Sequence, residues 1–184
     1  MAKTNQVRII GGDWRSRRIS FPDHEGLRPS ADRVRETLFN WLGQDLHGRS
    51  CLDLFAGSGA LGFEALSRGA ASVVMVEKSR KVLEALRRNA ELLGAKNLQL
   101  HCADALEFAT AAAAPDAARF DVVFLDPPFG SALLAQALPR VAPLLMPGAR
   151  VYVESAAAFA ESGGWRILKH SRAGQVHFNL VTYD

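Results

Sequence analysis

Several residues have types and spacings that suit chemistry on a bound ligand. Asp53 stands in a short apolar run, Cys51 to Phe55, that leads into Gly57-Ser58-Gly59-Ala60-Leu61-Gly62. A strand, then G-x-G-x-x-G, then a helix is the order in which glycines let the backbone approach a ligand at a helix N-terminus. Glu77 lies 20 residues beyond Gly57, at the end of the next apolar run, where a carboxylate can accept ribose hydroxyls. On these residues alone the reading is dinucleotide binding by a nicotinamide-dependent oxidoreductase. Two features pull elsewhere. Asp53 precedes the first glycine by four residues, where its carboxylate can reach a ligand that has no pyrophosphate. Asp126-Pro127-Pro128-Phe129 then closes another apolar run, Val122 to Leu125. Its consecutive prolines fix φ and remove N–H donors, so the turn presents a carboxylate, a stiffened carbonyl and an aromatic ring.

The elements that must position these residues alternate regularly. Apolar strands are expected near 51–55, 72–76, 98–102, 121–125 and 149–153, with helices between them near 59–68, 79–93, 104–113 and 131–142. Such alternation implies a parallel sheet covered on both faces. Right-handed crossovers then bring Asp53, Glu77, Asp104 and Asp126 to one edge of the sheet, at four successive strand ends. For Asp53 and Asp104 the structural alternative is a helix N-cap. Trp165 to Leu168 and Val176 to Tyr183 read as two further strands joined across Ala173-Gly174. Upstream, Val7 to Ile10 and Trp14 to Phe21 read as a hairpin broken by Gly11-Gly12, with Arg15 and Arg17 on one side of its second strand. Ser30 suits an N-cap for a helix from Ala31 to about Leu42, whose Val34, Leu38, Trp41 and Leu42 form an apolar stripe.

The 184 residues suit one domain with a small extension, and 48% hydrophobic with 22% charged residues is an ordinary globular balance. No apolar run reaches the roughly 18 residues that span a bilayer, and the N-terminus lacks an apolar signal segment, so a soluble, cytoplasmic protein is expected. Cys51 and Cys102 are isolated and read as small buried hydrophobes; no metal site is expected. Net charge is +3, but residues 1–35 carry eight basic and four acidic side chains. That excess points to a polyanionic partner, most naturally nucleic acid. Arg8, Arg15, Arg17, Arg18, Arg28, Arg33 and Arg35 are the expected contacts; the structural alternative is a charged edge strand that resists aggregation.

The glycine turn with Asp-Pro-Pro-Phe resembles the S-adenosylmethionine (SAM) methyltransferases that act on amino groups. Arg8-Ile9-Ile10-Gly11-Gly12, Trp14-Arg15, Gly26-Leu27-Arg28-Pro29-Ser30-Ala31-Asp32-Arg33-Val34-Arg35-Glu36-Thr37-Leu38-Phe39, Asp53 to Gly59 and Asp126 to Phe129 together resemble the RsmD family of bacterial 16S ribosomal RNA guanine-N2 methyltransferases. The family usually has Thr where Ser30 stands, which preserves the hydroxyl. The resemblance implies an α/β, Rossmann-like class I SAM-dependent methyltransferase: a seven-stranded, mostly parallel sheet ending in an antiparallel hairpin. It implies a basic N-terminal β-hairpin extension over 1–27 and a methyltransferase domain over 28–184. It assigns Asp53, Phe55, Gly57, Gly59, Glu77, Lys78, Asp104 and Ala105 to SAM, with Asp53 toward its ammonium, Glu77 toward its ribose and Asp104 toward its adenine. Asp126, Pro127 and Phe129 would serve a flipped guanine. The partner would be 16S rRNA in the small subunit or an assembly intermediate, met by a monomer. Three rivals stay open: the nicotinamide oxidoreductase, an adenine-N6 methyltransferase using the same turn, and a non-catalytic RNA-binding protein.

Overall fold

The computed structural model describes residues 4–24, 27, 30–114 and 116–184. Five parallel strands form the heart of one sheet: β3 (Ser50–Asp53), β4 (Ser72–Glu77), β5 (Leu98–Cys102), β6 (Phe120–Leu125) and β7 (Leu145–Ser155). Two antiparallel strands, β8 (Trp165–Ala173) and β9 (Val176–Tyr183), complete the order β5-β4-β3-β6-β7-β9-β8. A separate hairpin of β1 (Thr4–Arg8) and β2 (Arg18–Pro22) precedes it. The helices are α1 (Asp32–Trp41), α2 (Ala60–Ser67), α3 (Arg80–Leu93), α4 (Ala105–Ala111) and α5 (Leu133–Val141).

Strand parity divides the core, because successive side chains leave a strand on opposite faces. Cys51, Met75, Phe124 and Tyr152 face a layer built from α1, α2, α3 and the hairpin; Leu52, Val76, Leu125 and Val153 face α4 and α5. The strand order reverses beside β3: β4 and β5 lie on one flank, β6 and β7 on the other. Ligands of open α/β sheets bind in the crevice at such a reversal, outside the strand C-termini. Asp53 at the end of β3 pairs in register with Phe124 of β6, which brings Asp126 to the same crevice.

The N-terminal hairpin is tied to the sheet domain by a buried acid. Glu64 of α2 is fully buried and accepts the N–H groups of Ile10 at 2.9 Å and Gly11 at 2.8 Å. It also accepts from Arg68 Nε at 2.9 Å and Arg35 Nη1 at 3.2 Å. Asn89 of α3 holds Ser20 through both its donor and its acceptor. Val7, Ile9, Ile19 and Phe21 join the main core.

Several sequence expectations are corrected. The hairpin strands are offset from the expected ones, so Arg15 lies in the connecting loop and Arg15 and Arg17 do not share a strand face. Ser30 does not cap α1; Ala31 holds the cap position without a side-chain bond. The last parallel strand, expected at 149–153, runs to Ser155, and β8 runs to Ala173 rather than Leu168. Cys51 is buried as expected, but Cys102 is exposed at the end of β5. Among the described residues, no helix is long and apolar enough to cross a membrane.

Candidate active site

A cavity of about 690 Å³ lies over the C-terminal edge of the sheet. It is lined by Asp53, Phe55, Gly57, Glu77, Lys78, Asp104, Ala105, Asp126, Pro127 and Phe129, so the four strand-end acids and the Asp-Pro-Pro-Phe turn meet as expected. Gly59 is not among the lining residues, although its neighbours are. Instead it makes the bend into α2, at φ 79°, and a Cβ there would lie 2.6 Å from Leu86 Cδ2. Gly62 packs against β4: a Cβ would lie 2.4 Å from Met75 Cε, so a larger residue would make the Met75 side chain shift.

Asp53 answers both readings of its carboxylate. Oδ2 accepts the Gly62 N–H at 3.1 Å, holding the first turn of α2. Oδ1 is buried with no hydrogen-bond partner among the described residues. A buried, unpaired carboxylate oxygen is costly unless a donor meets it. Burial, reinforced by the nearby charge of Glu77, pushes the carboxyl up to about 7.

Glu77 bridges two main-chain segments. Its Oε2 accepts the Gly57 N–H at 3.1 Å and its Oε1 accepts the Ser79 N–H at 2.7 Å. The Gly59 N–H goes to the Ala56 carbonyl at 2.8 Å, so both glycine N–H groups are satisfied by the protein itself rather than held out to a ligand. Each Glu77 oxygen keeps a second lone pair for a hydroxyl. Asp104 caps α4, its Oδ1 accepting from Leu106 and Glu107 at 2.9 and 3.2 Å.

Across the crevice Asp126 is held differently. Its Oδ2 lies within hydrogen-bond distance of the Ser30 hydroxyl, 3.1 Å away, and Ser30 Oγ also lies 3.0 Å from Glu154 Oε2. Tyr152 Oη donates to that same Glu154 oxygen at 2.8 Å. Residues 126, 152 and 154 share the parity that faces α1, and Ser30 leads into α1, which is why the four meet. Burial pushes the Asp126 and Glu154 carboxyls up, and the Glu154 charge raises Asp126 further. Ser30, Tyr152 and Glu154 were not foreseen. The signals were the preserved hydroxyl at position 30 and an acid just beyond the expected end of the last parallel strand. Phe129 stands 55% exposed at the cavity mouth.

The arginines divide sharply. Arg35 is 1% exposed and locked between Asp32 at 2.6 Å and Glu64, so the expectation of a nucleic-acid contact there is corrected: it is a structural cation. Arg17 donates to the Leu92 carbonyl at the end of α3, Arg18 to Gln6, and Arg8 pairs with Asp32. These three are exposed, as are Arg15 and Arg33. Arg28 lies outside the described residues. A smaller cavity of about 390 Å³, lined by Arg8, Arg18 and Gln6, shares Ser30 and Ala31 with the main one.

The family model described as conserved hypothetical protein 95 matches residues 7–182. The ribosomal RNA small subunit methyltransferase D of Escherichia coli K12 is 42% identical over 96% of this chain and 90% of its own length. The solved structure of Escherichia coli yhhF superposes with a TM-score of 0.85 at 40% identity, over 98% of this chain and 99% of that one. The Thermus thermophilus 16S rRNA N2 methyltransferase RsmC, solved with AdoMet and guanosine, shares the fold at 24% identity and a TM-score of 0.72, covering 98% of this chain and 50% of that one.

Proposed function

The chain belongs to the ribosomal RNA small subunit methyltransferase D (RsmD) family, and on that premise we propose that it methylates the exocyclic N2 of one guanine in 16S ribosomal RNA, with SAM as the donor. The observation that carries the reading is the pairing of two unlike turns in one cavity. One leaves a buried carboxylate oxygen without a donor among the described residues; the other offers acceptors, with no N–H at Pro127 or Pro128.

The donor side fits SAM. Asp53 Oδ1 is a partner for its ammonium, Glu77 retains lone pairs for its ribose hydroxyls, and Asp104 with the Ala105 backbone suits its adenine. Phe55 and Lys78 complete the wall. When bound, SAM supplies a methyl group on a cationic sulfur.

The acceptor side fits an amine. Asp126 carboxylate and Pro127 carbonyl are both acceptors, so the group that docks there brings two N–H bonds. Guanine N2 is a poor nucleophile because its lone pair is delocalised into the ring. Accepting both N–H bonds favours a pyramidal nitrogen and stabilises the positive charge that develops as it is methylated. The base must leave its stack to reach the cavity. Phe129 at the mouth is placed to stack on it, worth about 1–3 kcal/mol. Arg8 and Arg18 flank the adjoining cavity, and with Arg15, Arg17 and Arg33 they suit the RNA backbone on either side of the flipped nucleotide.

The test is methyl transfer from labelled SAM to small ribosomal subunits that lack their native modifications, followed by digestion to nucleosides. N2-methylguanosine at a single position is the expected product. N6-methyladenosine, or no label in a chain that binds SAM, would overturn the substrate assignment.

A further inference from the structure

Asp126 is one end of a chain of four oxygens: Asp126 Oδ2, Ser30 Oγ 3.1 Å away, Glu154 Oε2 3.0 Å further, and Tyr152 Oη at 2.8 Å. Ser30, Glu154 and Tyr152 are all buried. Among the described residues, no Lys or Arg pairs with either carboxylate. Asp53 and Tyr152 also act electrostatically with Asp126, neither of them a cation at neutral pH, and His24, Glu77 and Lys78 line the same cavity.

Counting hydrogens constrains the chain. Tyr152 donates its one hydrogen to Glu154. Ser30 has one hydrogen and two carboxyl neighbours at hydrogen-bond distance. If both carboxyls were ionised, one of those approaches would set lone pair against lone pair in a buried place. With one proton on the pair, every approach is a hydrogen bond: Asp126 Oδ2–H donates to Ser30 Oγ, and Ser30 donates to Glu154. Glu154 then receives two donors, which favours its ionised form and leaves the proton on Asp126. A protonated Asp126 presents a donor on its Oδ2, whereas an amino group needs an acceptor.

We propose that Asp126, Ser30 and Glu154 work as one proton-sharing unit, in which Ser30 passes the Asp126 proton to Glu154 when an amino group docks. The O–H bond at Asp126 breaks as one forms at Ser30 Oγ, while the original Ser30 O–H breaks and one forms at Glu154 Oε2. The pair keeps its charge, no proton enters from water, and Asp126 becomes the anion that accepts from the amine. Only the identity of the docking group rests on the proposed function. Ser30 is a positioning residue, and its hydroxyl, present equally in threonine, is what the role requires.

The ligand-free protein tests this first, by carbon-13 NMR titration of labelled aspartate and glutamate carboxyls. Asp126 and Glu154 are expected to titrate jointly, each signal moving in two steps. In Glu154→Gln, Asp126 is expected to titrate in one step and at lower pH, because a like charge is gone. Two independent single-step titrations in the ordinary carboxylate range would overturn the proposal. The second arm is single-turnover transfer. Ser30→Ala is expected to slow it about tenfold with donor and RNA Kd unchanged, and Ser30→Thr to restore most of the rate. Equal rates in Ser30→Ala and wild type would overturn it. A jointly titrating pair in a protein that labels another base would uphold the relay and sink the guanine assignment instead.

Discussion

The turn after β3 and the turn after β6 meet at one crevice but are secured by opposite means. Around the first, acids are fixed by main-chain N–H groups: Glu77 by Gly57 and Ser79, Asp53 by Gly62, Asp104 by the start of α4. Around the second, Asp126 is held, among the described residues, by a side-chain hydroxyl alone, which leads on to a second buried acid. Backbone donors cannot be given away, so the first region is a fixed mould for a ligand of set shape. A hydroxyl between two carboxyls can change its donor direction, so the second region can change its protonation while a substrate reacts. On the proposed function, binding and chemistry fall to two different flanks of β3.

Substitutions can break that division if it is wrong. The largest expected loss of binding is in Asp53→Asn, which should weaken SAM affinity about 100-fold, the scale of a charge-assisted hydrogen bond removed from a buried site, while RNA affinity holds. Equal losses for both ligands, read by calorimetry, would erase the division. The pH dependence sharpens the same point. The Asp53 carboxyl is pushed up to about 7, so the folded chain binds this proton more tightly than the unfolded chain does. Its contribution to folding stability is therefore fully present in acid and is lost as pH rises from about 4 to about 7. SAM affinity should move the other way, tightening as pH rises through about 7, and the trend should vanish in Asp53→Asn.

Phe129→Ala should cost about 2 kcal/mol, or roughly 30-fold, in RNA engagement with SAM affinity unchanged. Unchanged KM for RNA would remove the ring from base stacking. The smallest effect is expected at the hairpin. Replacing Arg15, Arg17 and Arg18 together with alanine should lower the slope of log affinity against log salt by about one for each phosphate left unneutralised. Because Arg17 and Arg18 also hold Leu92 and Gln6, Arg15→Ala alone gives the cleaner reading, and an unchanged slope would return the loop to a solvated surface.

Much of the fold, and the gathering of the strand-end acids at one crevice, was legible because local sequence determines them. Strand–helix alternation yields the parallel sheet, and a glycine turn at a strand end must face the crevice. What stayed hidden depends on long-range packing. Arg35 reads as one more basic residue in a basic segment, yet Glu64, fully buried 29 residues later, turns it inward. Ser30 reads as a helix cap because local rules favour it there, but an acid pair 96 and 124 residues away claims its hydroxyl. Glu154 escaped notice because strand ends are set by pairing, and β9 keeps β7 extended to Ser155. The two hairpin strands slid for a similar reason: Val7 and Ile19 pair across from each other to bury into the common core.

The most direct test of the divided crevice is Asp126→Asn, assayed side by side for SAM affinity by calorimetry and for single-turnover methyl transfer to RNA. The account predicts a SAM Kd within about twofold of wild type and a transfer rate lower by about 1,000-fold, the scale of removing one electrostatic group at a reacting centre. Transfer at the wild-type rate, or a loss explained wholly by failure to bind SAM, would contradict it.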